Sequence, residues 1–308
     1  MNFSCLKYYF ILFFAFTSCS PRKDVKQDFA DIDTVNQIEK SPLSHLDEIL
    51  PGYNYNEVIE KYQNTLPSGF SITRYKYFVI FSDLDESQTY TLIENDVKNT
   101  STAMTGNYAE KVPDIVTPII LFKEYDSYKD FALINYDIPE HDLSPYGFYK
   151  ISKNVIVVRY VSWKGSILHE VTHRFLRSDF PDIPSWFDEG FAALNEKSTF
   201  INGNLSGDFS WRIISIRRAF ENNTYTGLRT LMESNDEELY GHRSSYYYAQ
   251  SRYLLMMLQQ KGLLKDYYVL FRETYSKDET GIKQLEKVMK KPLSEIDEEL
   301  VEYLKSFK

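Results

Sequence analysis

Apolar positions along the chain change their period near Gly165. Before it, short aromatic and aliphatic runs alternate with stretches of helical spacing. After it, almost every segment through Leu304 repeats its apolar residues every three to four positions. The first half predicts strands over 75–81, over 116–122 in spite of Pro118, and over 146–151 and 155–161. The last two read as a hairpin joined around Ser152-Lys153-Asn154, because β-branched and aromatic runs bounded by turn formers favour extended chain. Helical spacing covers 46–66, interrupted at Pro51-Gly52, then 88–104 and 124–134. The pattern predicts an α+β fold. Residues 45–165 form a small mixed sheet with helices, and residues 166–308 form a mostly helical part.

One helical segment carries chemistry. Residues 169–173 read His-Glu-Val-Thr-His, with Ile167, Leu168, Val171, Phe175 and Leu176 as its apolar face and Ser166 as the predicted N-cap. On a helix, positions i and i+4 share a face, so His169 and His173 can meet one metal ion. Glu170 lies about 100° round from His169 and can reach the ion's flank, where a general base activates water. A catalytic metal also needs a third ligand and an open position. The next segment, Ser185-Trp186-Phe187-Asp188-Glu189-Gly190-Phe191-Ala192-Ala193, opens a second helix. Ser185 and Asp188 have the spacing of a capping box, Glu189 sits in the first turn, and Ala192 and Ala193 are small enough for close helix approach. Pro181 and Pro184 suit a tight return between the two helices.

His169-Glu170-x-x-His173, followed after an interval by Trp186-Phe187-Asp188-Glu189-Gly190, resembles the gluzincin metallopeptidases and especially the peptidase MA-like families. The resemblance extends diffusely over residues 75–305. It implies a zincin-like fold with a Zn2+ site between the two halves, held by His169, His173 and Glu189, the Glu that precedes the Gly. It also implies peptide-bond hydrolysis with Glu170 as general base, and a substrate extended along the strand pair before the zinc helix. Tyr246-Tyr247-Tyr248-Ala249-Gln250-Ser251 resembles the Tyr-x-Gln-Ser segment of that group, which makes Tyr248 the oxyanion donor, with His242 as runner-up. With 25 Tyr in the chain, the competing reading is that all three tyrosines only pack. Some gluzincins place an Asp four residues after the ligand Glu to support a ligand His. Ala193 stands there in this chain, and Glu196, one turn further, is the substitute. His45 and His141 have no partner spacing and read as ordinary. No element resembling the exopeptidase Gly-Ala-Met-Glu-Asn segment is present, so an endopeptidase is preferred. The alternative is a zincin-fold surface lipoprotein that binds or assembles without catalysis.

The start of the chain adds an address. Residues 1–18 carry one charge, Lys7, then the apolar stretch Tyr8 to Phe16, about half the roughly 20 residues that span a bilayer. This reads as a signal peptide. Phe16-Thr17-Ser18-Cys19 resembles the lipobox of bacterial lipoproteins, which implies lipidation at Cys19 and an exported, membrane-anchored protein. Residues 19–44 read as a polar tether, and nothing after Cys19 selects a membrane or a face. Cys5 leaves with the signal, so Cys19 has no partner for a disulfide. Loss of Lys7 takes the formal charge from −9 to −10, and no basic run goes beyond pairs such as Arg217-Arg218 and Lys290-Lys291, which argues against a nucleic-acid-binding surface. A peptide or protein substrate is the implied partner. Substrate specificity and oligomeric state are not encoded in any motif.

Overall fold

The computed structural model describes residues 41–161 and 165–307. The expected signal peptide, Cys19 and most of the expected tether lie outside the described residues. Five strands form one mixed sheet in the order β1-β2-β3-β5-β4: β1 (Ser71–Tyr75), β2 (Phe78–Ser82), β3 (Thr117–Phe122), β5 (Val155–Arg159) and β4 (Gly147–Lys150). The inner pairs β2–β3 and β3–β5 are parallel, and both outer pairs are antiparallel. The fold is therefore α+β with a mixed five-stranded sheet.

The run 75–81 is two strands and not one. Lys76 turns with φ of +46°, and Tyr75 pairs with Phe78 across a two-residue hairpin. No Gly, Asn or Asp marks the turn, so apolar patterning passed straight over it. Pro118 is tolerated because it sits at the start of β3, paired with Val79 on one side, while the ladder to β5 begins only at Ile119. Every residue of β2 and β3 is buried, since both faces of the sheet are covered. Phe78, Ile80, Ile119, Leu121, Ile156 and Val158 face the large core, which also takes α5 (Ser166–Asp179). Val79, Phe81, Ile120, Phe122, Val155 and Val157 face a smaller core beneath α1 (Tyr55–Gln63) and α4 (Tyr125–Tyr136). Helix α1 begins only after Pro51-Gly52; before it, Glu48 bridges to Tyr75 in extended chain.

The predicted helix 88–104 runs from α2 (Glu86–Leu92) to α3 (Lys98–Asn107) through a π-helical turn at Ile93–Val97. Beyond α5 and α6 (Ser185–Glu196), one hairpin interrupts the helices: β6 (Ser198–Ile201) and β7 (Asn204–Gly207). Its turn is Asn202-Gly203, with φ of +50° and +79°. That dipeptide is a strong hairpin signal, and the helical expectation for this half missed it. Helices α7 (Ile213–Glu221), α8 (Leu228–Met232), α9 (Asp236–Tyr240), α10 (Ser244–Gln260), α11 (Leu264–Thr274), α12 (Ile282–Met289) and α13 (Leu293–Ser306) complete the chain.

Two glycines set the helix contacts that matter for the site. Gly165, and not Ser166, is the N-cap of α5, at φ of +61°. A Cβ there would lie 1.9 Å from the Glu196 carbonyl oxygen, so only glycine lets α5 start against the end of α6. A Cβ on Gly190 would lie 2.6 Å from Ser251 Cβ, so α6 and α10 cross backbone to backbone at that point. Together these contacts fix α5, α6 and α10 as the frame of one cleft.

Candidate metal centre

Helices α5 and α6 bring His169, His173 and Glu189 together. Each offers one ligand atom, and the three atoms lie within 4.8 Å of one another. Glu189 Oε2 is 3.2 Å from His169 Nε2 and 3.5 Å from His173 Nε2. A zinc ion with bonds of about 2.0–2.1 Å to nitrogen has tetrahedron edges of about 3.3 Å, so these spacings suit one ion. Glu189 Oε2 is buried and has no hydrogen-bond partner despite both neighbours. Buried carboxylate oxygens are ordinarily paired, and one left over beside two imidazole nitrogens fits a metal ligand. The buried His169-His173-Glu189 group can bind a metal ion.

Each ligand has its own support. His173 Nδ1 is 2.7 Å from Asp188 Oδ1, and Asp188 Oδ2 accepts from Arg177 Nε at 2.7 Å. Asp188 is therefore spent on the ligand and on Arg177. Pro184 is the N-cap of α6, and Ser185 donates instead to Asp236 at 2.5 Å, so the expected Ser185–Asp188 capping box does not form. On the other side, His169 Nδ1 faces Glu196 Oε2 at 3.7 Å, the position expected to stand in for Ala193. Glu196 Oε2 in turn accepts from Arg212 Nη2 at 2.5 Å and Nε at 3.1 Å. Glu189 Oε1 accepts from the Tyr240 hydroxyl at 3.0 Å, which leaves Oε2 to the ion.

The charge balance favours a divalent cation. With both imidazoles neutral, as metal binding requires, four carboxylates line the cleft (Glu170, Asp188, Glu189, Glu196) against two guanidinium groups (Arg177, Arg212), a formal excess of two negative charges. Burial alone would push both imidazoles down in pKa. Glu189 and Glu196 outweigh it and raise His169 to about 9, while Asp188 and Glu189 raise His173 well above its usual value. Burial pushes Glu196 up, but His169 and Arg212 overcome it and hold Glu196 down at about 2. Glu189 is likewise held well below the carboxylate range, against burial, by His173 and His169. Glu170 moves the opposite way. Burial raises it, with Glu189 adding to the rise and the two histidines opposing it. A raised, buried carboxyl beside a metal group has the character of a proton acceptor and donor.

The cleft encloses about 340 Å³ and is bordered by edge strand β4 through Gly147, Phe148 and Tyr149. Tyr248 lines it too. Burial pushes the Tyr248 phenol up, with Glu189 and Tyr240 beside it reinforcing the rise. Of its neighbours, Tyr246 bonds the Thr226 backbone through its hydroxyl, and Tyr247 is buried in the large core. So two of the three tyrosines pack and one faces the site. His242 is exposed and does not line the cleft; His45 and His141 are exposed as well. Sequence reasoning passed over Tyr240, Arg177 and Arg212. Tyr240 is one of 25 tyrosines with no motif around it, and both arginines reach their carboxylates through the tertiary fold.

No family model matches the chain, and no curated protein matches it in sequence.

Proposed function

We propose that the chain is a zinc metallopeptidase of zincin-like fold, exported and tethered to a bacterial membrane through a lipid on Cys19. The observation that carries the reading is the convergence of His169 Nε2, His173 Nε2 and Glu189 Oε2 on one point, with Glu170 beside them and an edge strand along the cleft. Two imidazoles and one carboxylate are the ligand set of a catalytic zinc site with an open position. Zinc supplies there a Lewis acid that polarises a carbonyl and brings the pKa of water to about 7.

The chain's own groups do the rest. Glu170 takes the proton from the attacking water and delivers it to the leaving amine nitrogen, a task that suits its raised pKa. Strand β4 pairs with β5 on one side only, and its other edge is available to align an extended peptide. Tyr248 faces the cleft, where its hydroxyl can donate to oxygen as charge develops. Tyr240, Asp188 and Glu196 hold the three ligands in place.

Metal analysis of residues 20–308 tests the reading, beside the His169→Ala and Glu189→Ala variants. About one zinc per chain, lost or weakened in both variants, supports it. A folded protein that takes up no zinc overturns it. Glu170→Gln separates metal from mechanism. It is expected to keep zinc and fold while losing peptide cleavage by 10²-fold or more.

A further inference from the structure

Arg212 belongs to no motif and comes from outside the two ligand helices. It lies five residues beyond β7, in the turn that leads into α7. Its side chain is only 13% exposed, and its guanidinium contacts three residues at once. It donates to Glu196 Oε2 from Nη2 at 2.5 Å and from Nε at 3.1 Å. One face lies 4.9 Å from the Trp211 ring centroid, and the guanidinium is also 5.3 Å from the Tyr248 ring centroid. Glu196 Oε2 in turn lies 3.7 Å from His169 Nδ1, a buried nitrogen with no hydrogen-bond partner, so the contact between them is electrostatic. A planar fork with a stacked face can hold a carboxylate and an aromatic ring in fixed relation, which a flexible ammonium cannot.

The chain around Arg212 is fastened in the same place. Arg252, fully buried on α10, donates from Nη2 to the carbonyl oxygens of Lys197 and Asp208, the residues flanking the β6–β7 hairpin. Tyr253, next on α10, accepts from the Ser210 N–H at 3.2 Å and donates to the Ser210 carbonyl at 2.9 Å. Glu196 lies just before this fastened segment and Arg212 just after it, so helix α10 sets the distance between them. The same helix carries Tyr248 one turn earlier.

We propose that Arg212 is a positioning residue that holds Glu196 against His169 and fixes the Tyr248 ring beside the metal group. The inference deepens the metallopeptidase reading and rests on it for the role of the metal. Arg212 acts through other side chains: Glu196 orients the His169 ring so that Nε2 faces the ion, and the guanidinium seats Tyr248. Among the described residues, Glu196 without Arg212 has no cationic partner within 4 Å except His169 itself.

The test compares zinc affinity, by competition with a chromophoric chelator, in residues 20–308 and in Arg212→Gln, Glu196→Gln, the double variant and Arg212→Lys. Residues 40–308 form a unit of their own, so the shortened chain retains the folded part. Each single Gln variant is expected to bind zinc about tenfold more weakly, at the low end of such supporting contacts. The double variant is expected to bind no more weakly than either single, because both remove one contact to His169. Arg212→Lys is expected to fall between wild type and Arg212→Gln, since it keeps the charge and loses the fork. The ¹⁵N resonance of the His169 imidazole provides a readout that general destabilisation does not move. It is expected to shift in Arg212→Gln to the position it takes in Glu196→Gln. Unchanged zinc affinity in folded Arg212→Gln, or losses that multiply in the double variant, overturns the proposal. A wild-type chain that binds no zinc overturns the metallopeptidase reading itself.

Discussion

The two histidines of the candidate metal centre are supported by the same chemistry built in two ways. For His173 the support is local. Asp188 precedes the ligand Glu189 on α6, Arg177 follows His173 by one turn on α5, and both contacts are 2.7 Å. Once α5 and α6 pack, nothing else is needed. For His169 the support is remote. Glu196 ends α6, Arg212 arrives after the β6–β7 hairpin, and the Nδ1 contact is 3.7 Å. The first arm depends on two helices, and the second depends on the hairpin, α10 and the turn before α7. A perturbation of the helical half is therefore expected to reach the metal through His169 before His173.

The largest break in that comparison is expected from Gly165→Ala. The new Cβ would overlap the Glu196 carbonyl, and the backbone would be forced to keep φ of +61°. Left-handed backbone and overpacking together make a loss of about 2–5 kcal/mol in unfolding free energy, read by denaturant titration. Because the damage falls on Glu196, the His169 arm is expected to loosen while the Asp188 contact survives. Asp188→Asn is next. It weakens a short, charge-assisted contact to His173 and leaves Arg177 without its carboxylate, so zinc affinity is expected to fall up to about 100-fold. That fall should exceed the loss in Glu196→Gln under the same chelator competition; equal losses would show that the 3.7 Å and 2.7 Å contacts do the same job. The smallest effect is expected from Tyr240→Phe, which removes one hydrogen bond to Glu189 Oε1. About 1.5 kcal/mol, the low end for a bond to a charged group, corresponds to a roughly tenfold weaker site.

The local arm is also the legible one. His169 and His173 could be placed on one helix face, with Glu170 at its flank, because i, i+4 spacing is a property of the helix alone. The edge hairpin β4–β5 followed from short-range patterns as well, whereas Glu189 was singled out by the resemblance of Trp186-Phe187-Asp188-Glu189-Gly190 to a family motif. Glu196 was reachable only by continuing one turn along α6. Arg212 and Tyr240 were not reachable at all, since their partners lie 16 and 51 residues away in sequence. The misplaced details have a common cause. Ser166 and Ser185 look like helix caps, yet Gly165 is required by a backbone contact with Glu196, and Asp188 is drawn away by His173 and Arg177. In both places tertiary contact decided against the local preference. The turn at Lys76 went unseen for the opposite reason, because it uses none of the residues that normally mark a hairpin.

The contact between Gly190 and Ser251 has a mechanical consequence. A hinge between two helices needs slack, usually side chains that can slide or change rotamer as the axes move. Here α6 and α10 touch with almost nothing between their backbones, next to the ligand Glu189 and one turn from Tyr248. Opening and closing along that seam is blocked, so the floor of the cleft behaves as a rigid plate. Any movement that widens the cleft must come from the walls, the β4 edge on one side and the short α9 segment carrying Tyr240 on the other.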